Sequence, residues 1–222
     1  MVLPEYEKIA GAFRNPGQRR PSNLAVIEEC AATGEVAALY DHFRTHFGRP
    51  DVPGILKCFA THPPLLRHMM DLSETLIFAD GHLSRKHKEM IATLVSTQNA
   101  CSYCVDSHAY FLRMHGGSSE VLAAIRKNDL ESPALTAAEQ ALLRFARKVN
   151  FSSHEIGPAD VSQALAAGWN KQQIAEAVHV AALFSTFNRV ADAFGLASQG
   201  LLALYDGGPD NEPSGNTSVK ER

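Results

Sequence analysis

The sequence is notable first for what it lacks. No apolar run free of polar residues is long enough to cross a bilayer, which takes about 20 residues. No basic cluster marks a nucleic-acid surface, and the net charge is only -3. The first twenty residues hold Glu5 and Glu7 and no unbroken apolar stretch, so they do not read as a secretory signal. These absences lead to the expectation of a cytoplasmic protein with neither membrane nor nucleic acid as partner. Strand signals are missing as well. There is no sustained two-residue alternation, and no Asn-Gly or Asp-Gly turn joins alternating runs. Cysteines are few: Cys30, Cys58, Cys101 and Cys104. Cys30 and Cys58 stand alone and read as structural, because free cysteine behaves as a small buried hydrophobe.

What is present is helical. Hydrophobic residues make up 45% of the 222 positions, enough to fill the core of one large domain. The expectation is an all-α, single-domain helical bundle over residues 33–205. An N-terminal arm, 1–32, precedes it, and a disordered tail rich in Gly, Pro, Asn and Ser, 206–222, follows. Thr33 and Ser84 are placed to cap helices, and Gly48 to end one. Thr136 with Glu139, and Asn170 with Gln173, have the spacing of a capping box. The longest run, 172–204, is apolar on most faces. It is expected to be buried centrally and across a subunit interface.

The chemistry concentrates in "CSYCVDSH". On one helix Cys101, Cys104 and His108 fall at i, i+3 and i+7, a single stripe. The i,i+3 spacing brings two side chains to the separation a disulfide tolerates. A cysteine in the first turn also feels the positive end of the helix dipole, which favours thiolate. Glu89 lies twelve positions before Cys101. On one straight helix it would be about 18 Å away along the axis and unable to cooperate. The polar "STQNA" between them supplies stop and cap residues. The spacing therefore predicts a break between Val95 and Cys101, folding the helix of Glu89 back against that of the cysteines. Two other readings stand beside a redox pair. The cysteines can be ordinary packing residues. Alternatively, Cys101, Cys104 and His108, with Glu89 as a fourth, can supply zinc ligands, although such ligands usually come from separated segments.

The pattern E-x11-C-x2-C-x3-H, filled by Glu89, Cys101, Cys104 and His108, resembles the signature of the alkyl hydroperoxidase D-like family. That superfamily also contains the carboxymuconolactone decarboxylases. The flanking "EMIATLVSTQNACSYCVDSHAYFLRMHGG" and the later "VHVAALFSTFNRVADAFG" resemble its peroxidase-related branch. The resemblance implies an all-helical homo-oligomer that reduces hydroperoxides with its cysteine pair, without haem or flavin; no cofactor or metal is expected. It implies that Cys104 attacks peroxide, that Cys101 resolves the sulfenic acid, and that Glu89 and His108 relay protons. It further implies an external dithiol reductant, with a lipoylated carrier protein as one candidate. This chain departs from the best-known members in having Ser102 and Tyr103, and no histidine, between the cysteines. The rival readings are a thiol–disulfide oxidoreductase with little peroxide activity and a non-enzymatic redox-sensing or chaperone-like oligomer.

The other histidines show no partner pattern. His42, His46, His62, His68, His82, His87, His115 and His154 read as surface or loop residues, and His179 as a hydrogen-bonded core residue. Arg189 and Asp192, at i,i+3, read as an intrahelical ion pair. Asn188 beside them has no role assigned from sequence.

Overall fold

The computed structural model describes residues 23–206. Most of the N-terminal arm, 1–22, and the tail, 207–222, lie outside the described residues. Ten α-helices follow in chain order among the described residues: α1 Gly34–Phe47, α2 Gly54–Lys57, α3 Pro63–Ser73, α4 Arg85–Gln98 and α5 Ser102–Met114. Then come α6 Ser119–Arg126, α7 Ala137–Ser152, α8 Pro158–Ala166, α9 Lys171–Phe194 and α10 Leu201–Asp206. The described residues contain no strand, so the all-α expectation holds.

The helix ends lie where the local chemistry places them. The Ser84 hydroxyl accepts from the backbone of His87 at the start of α4. Thr136 and Glu139 close a full capping box on α7, as do Asn170 and Gln173 on α9. Gly48, at φ 61°, ends α1 in the left-handed region that glycine enters without a Cβ penalty. Helix α3 gives way at Glu74 to a π-helical turn reaching Phe78. That wider turn marks a local change of helix register.

The centre of the molecule is α4. Every residue from Lys88 to Ser96 is buried, and the helix packs against α5, α6, α7 and α9. The run 172–204 supplies a neighbour of this centre, α9, which packs on α4 along one face. That run breaks at Gly195, φ 74°. Within the chain α9 buries one face, including Ile174, Ala177, Val180, Phe184 and Ala191, and exposes Ala175, His179, Ala182, Thr186 and Asp192. His179 is therefore not a core histidine. The apolar excess consists largely of alanines, which do not demand burial as Leu or Phe does. His87 departs in the other direction: half-buried, its ring meets Trp169 edge-on at 4.9 Å. Cys30 is exposed, whereas Cys58 is buried with its thiol on the Gly54 carbonyl at 3.3 Å.

A buried ion pair fixes the approach to α4. Lys88 Nζ, in a side chain 1% exposed, lies 2.9 Å from Glu176 Oε1 on α9. It also donates to the Ala79 carbonyl at 3.0 Å. The other oxygen of Glu176 accepts from Leu83 N at 2.7 Å. A Cβ on Gly81 would collide with the Glu176 carboxylate and push it off its present place.

Candidate active site

The break expected between Val95 and Cys101 is present. Helix α4 ends at Gln98, Asn99 is its C-cap, and Ala100 turns at φ 58°. Cys101 is then the N-cap of α5. Its N–H reaches back to the Ser96 carbonyl at 3.0 Å, and that of Ala100 to Thr97 at 3.1 Å. The three-residue reversal lays α5 antiparallel on α4, so Glu89 and His108, nineteen positions apart in sequence, meet. Cys101 is not part of the helical stripe, since its φ/ψ of -79°/95° is extended. Cys104 follows as the third residue of α5, within the first turn, where unpaired N–H groups favour negative charge.

Glu89 is completely buried and doubly held. One carboxylate oxygen accepts from Arg85 Nε at 2.6 Å, the other meets His108 Nδ1 at 2.7 Å. Burial by itself pushes this carboxyl up, but the charges of Arg85 and then His108 prevail, and the pKa is lowered to about 2. An ionised Glu89 can only accept, so Nδ1 of His108 carries a proton and Nε2 is left to accept or deliver one. Phe184 packs edge-on against the imidazole at 4.4 Å, fixing its plane. Arg85 in turn lies over the Phe78 ring, 4.7 Å from its centroid. Of this set, Arg85 escaped the sequence reading although its i,i+4 spacing from Glu89 is a recognised ion-pair signal.

The two cysteines occupy different surroundings. Cys104, 3% exposed, and His108 both line a cavity of about 90 Å³. Cys101, 0% exposed, does not line it and sits behind, among Tyr103, Cys104 and Ala191. The Cys101 thiol is pushed well up, first by its hydrogen bond with Cys104, then by burial and by charge on Cys104; the Cys104 backbone amide opposes this. Both cysteines are free. Among the described residues no group of three or more His, Cys, Asp or Glu is arranged to hold a metal ion, which gives the zinc reading no support.

The cavity wall is aromatic. Phe43, Phe47, Phe78, Phe111, Phe184 and Phe187 contribute rings from α1, the π-turn, α5 and α9. Tyr103, within the cysteine motif, is buried and lines the cavity; its hydroxyl accepts from Ile55 N at 3.2 Å. Ser102 is exposed. Asp106 was also missed from sequence. Its carboxylate accepts from the backbone N–H groups of Gln199, Leu201 and Leu202, each at 3.0 Å. It thereby ties α10 onto α5 and sets Gln199 and Leu201 into the cavity wall. Arg189 does not pair with Asp192 as expected; its guanidinium returns to the Ser185 carbonyl at 2.6 Å.

Comparison with known proteins bears out the family resemblance. Residues 63–148 match the carboxymuconolactone decarboxylase family. No curated protein matches the sequence. The structure is similar to that of the alkylhydroperoxidase AhpD core of an uncharacterized peroxidase-related protein from Ralstonia eutropha JMP134. The identity there is 25% and the TM-score 0.73, covering 83% of this chain and 96% of that one. An uncharacterized peroxidase-related protein from Silicibacter sp. TM1040 is 27% identical with a TM-score of 0.71, covering 82% of this chain and 93% of that one. The debrominase Bmp8 shares the fold at 16% identity and a TM-score of 0.66, with 83% and 97% covered.

Proposed function

We propose that this chain, which is similar to the carboxymuconolactone decarboxylase family and has the alkylhydroperoxidase D-like fold, is a cysteine-based peroxidase. The observation that carries the reading is the Glu89–His108 pair, 2.7 Å apart, with its imidazole and the Cys104 thiol on one aromatic cavity and Cys101 directly behind. A buried carboxylate that orients an imidazole beside a thiol is the arrangement a general base needs.

The steps follow. His108 takes the Cys104 proton, one helical turn away. The Cys104 thiolate attacks the distal oxygen of a hydroperoxide; the O–O bond breaks, and the alkoxide or hydroxide takes the proton back from His108. Cys104 is left as a sulfenic acid. The Cys101 thiol then condenses with it, forming the Cys101–Cys104 disulfide and releasing water. An external dithiol reduces that disulfide and is itself oxidised. Glu89 stays ionised throughout and stabilises the transient imidazolium. Neither haem nor flavin enters this scheme. A lipoylated carrier protein is one candidate for the dithiol, and the working form is a homo-oligomer.

Peroxide turnover on the purified chain, with lipoyl dithiol among several reductants, tests this. Sustained peroxide consumption coupled to dithiol oxidation is expected. Thiol–disulfide exchange without peroxide consumption would replace the reading with that of an oxidoreductase. Stoichiometric oxidation coupled only to a change in particle size would make the chain a redox-sensing or chaperone-like oligomer.

A further inference from the structure

Behind Cys101 lies a network of neutral amides and hydroxyls that the peroxide chemistry does not use. Asn188 of α9, 0% exposed, donates to Ser96 Oγ at 2.9 Å and accepts from Asn99 Nδ2 at 3.0 Å. Asn99 and Asn150 of α7 exchange hydrogen bonds at 3.1 and 3.2 Å. Asn150 further donates to Gln98 Oε1 at 3.2 Å and accepts from Ser185 Oγ at 2.7 Å. Two helices, α7 and α9, are thus tied to residues 96–99, the last turn of α4 and its cap. What those residues hold is the reversal into α5. Ala100 sits at φ 58°, a left-handed conformation that a residue with a Cβ adopts at a cost. The Cys101 N–H ends on Ser96, the residue that Asn188 grips.

A strained backbone persists only where its surroundings over-determine it. A buried polar network rigidifies when every member is satisfied. Both conditions meet at one residue step from Cys101. We propose that Asn188, seconded by Asn150, is a positioning residue for the second thiol of the pair. The network holds Cys101 at the N-cap of α5 so that its sulfur stays within reach of Cys104. It raises the effective concentration of one thiol toward the other and so favours the disulfide. The proposal rests on the redox reading of the cysteine pair. It does not rest on peroxide as the oxidant.

The test uses the full chain equilibrated in glutathione redox buffers. Two electrons pass from the Cys101 and Cys104 thiols to oxidised glutathione, giving the internal disulfide and two reduced glutathiones. The disulfide fraction is read by the masses of alkylated peptides. Asn188→Ala is expected to lower the equilibrium constant for disulfide formation about tenfold, a rise in potential of about 30 mV. Asn150→Ala, at the half-buried edge of the network, is expected to lower it about threefold and serves if the first variant folds poorly. Constants equal to wild type in both variants would overturn the proposal, whatever their melting temperatures. A wild-type pair that oxidised glutathione cannot close would overturn it together with the redox reading. A shifted constant in a protein that consumes no peroxide would support the positioning role and sink the peroxidase alone.

Discussion

The α4–α5 pair has two ends built from opposite materials. At the open end Glu89 and His108 bridge the helices, backed by the Arg85 guanidinium and walled by phenylalanine rings. At the turn end Gln98, Asn99, Asn150 and Asn188 bridge the same region with no formal charge among them. The difference follows from what each end faces. A proton relay needs a group that can change charge and a partner that holds the opposite charge nearby. A structural lock beside a thiol is better neutral, because any fixed charge there would shift the thiol toward one protonation state. Charge is therefore concentrated where protons move, and amides stand where geometry is to be kept.

The sharpest way to break this contrast is to neutralise the charged end. Glu89→Gln is expected to slow the first reaction with peroxide by about 100-fold or more, the usual scale for losing assisted proton transfer. Chemical reduction of a preformed disulfide should be nearly unchanged. Rapid-mixing measurements of each half-reaction separate the two, and equal slowing of both would contradict the relay. The same carboxylate gives a stability signature. Its folded pKa is lowered to about 2, against about 4.3 unfolded. Its contribution is fully present above the unfolded value and drains away as pH falls toward the folded one. Glu89→Gln should flatten that part of an acid denaturation curve.

Next in size is a buried pair that serves only structure. Glu176→Gln leaves Lys88 buried without its counter-charge, a change that costs about 3–5 kcal/mol. Denaturant unfolding should show that loss, while the peroxide rate per folded molecule stays close to wild type. A rate drop as large as that of Glu89→Gln would mean the two ion pairs are not distinct in role. Asp106→Ala removes three backbone hydrogen bonds that fasten α10. It is expected to raise the KM for organic hydroperoxides several-fold with a smaller change in kcat, since it loosens a cavity wall and touches no reacting group. The smallest effect belongs to the turn. Ala100→Gly removes the Cβ penalty at φ 58°, about 1 kcal/mol, against a comparable cost from the extra entropy glycine gives the unfolded chain. A net change within about 0.5 kcal/mol is expected, and a large destabilisation would show that the Ala100 methyl packs in a way its conformation does not suggest.

Much of the fold was legible because helix ends are local. Thr136 with Glu139, Asn170 with Gln173, Ser84 and Gly48 each act within one turn, and each ends or begins a helix where the sequence places it. The break before Cys101 was legible for the same reason, and it brings Glu89 to His108. The long-range features were not legible. Nothing local tells that Asn99, Asn150 and Asn188 will converge from three helices, or that Lys88 will find Glu176. Which positions of α9 stay exposed within the chain was not legible, because its many alanines make an apolar run without an obligation to be buried. His179 was expected in the core for that reason and is exposed. Asp106 lay inside the motif, but its partners are backbone groups more than ninety residues away.

The central claim is the division of labour between the two thiols. The most direct measurement treats Cys101→Ser and Cys104→Ser each with one equivalent of hydroperoxide, traps the sulfenic acid and locates it by peptide mass. The account expects sulfenic acid at Cys104 in the Cys101→Ser protein, formed at close to the wild-type rate, and scarcely any in the Cys104→Ser protein. Sulfenic acid at Cys101 in the Cys104→Ser protein, formed as fast as wild type reacts, would contradict it.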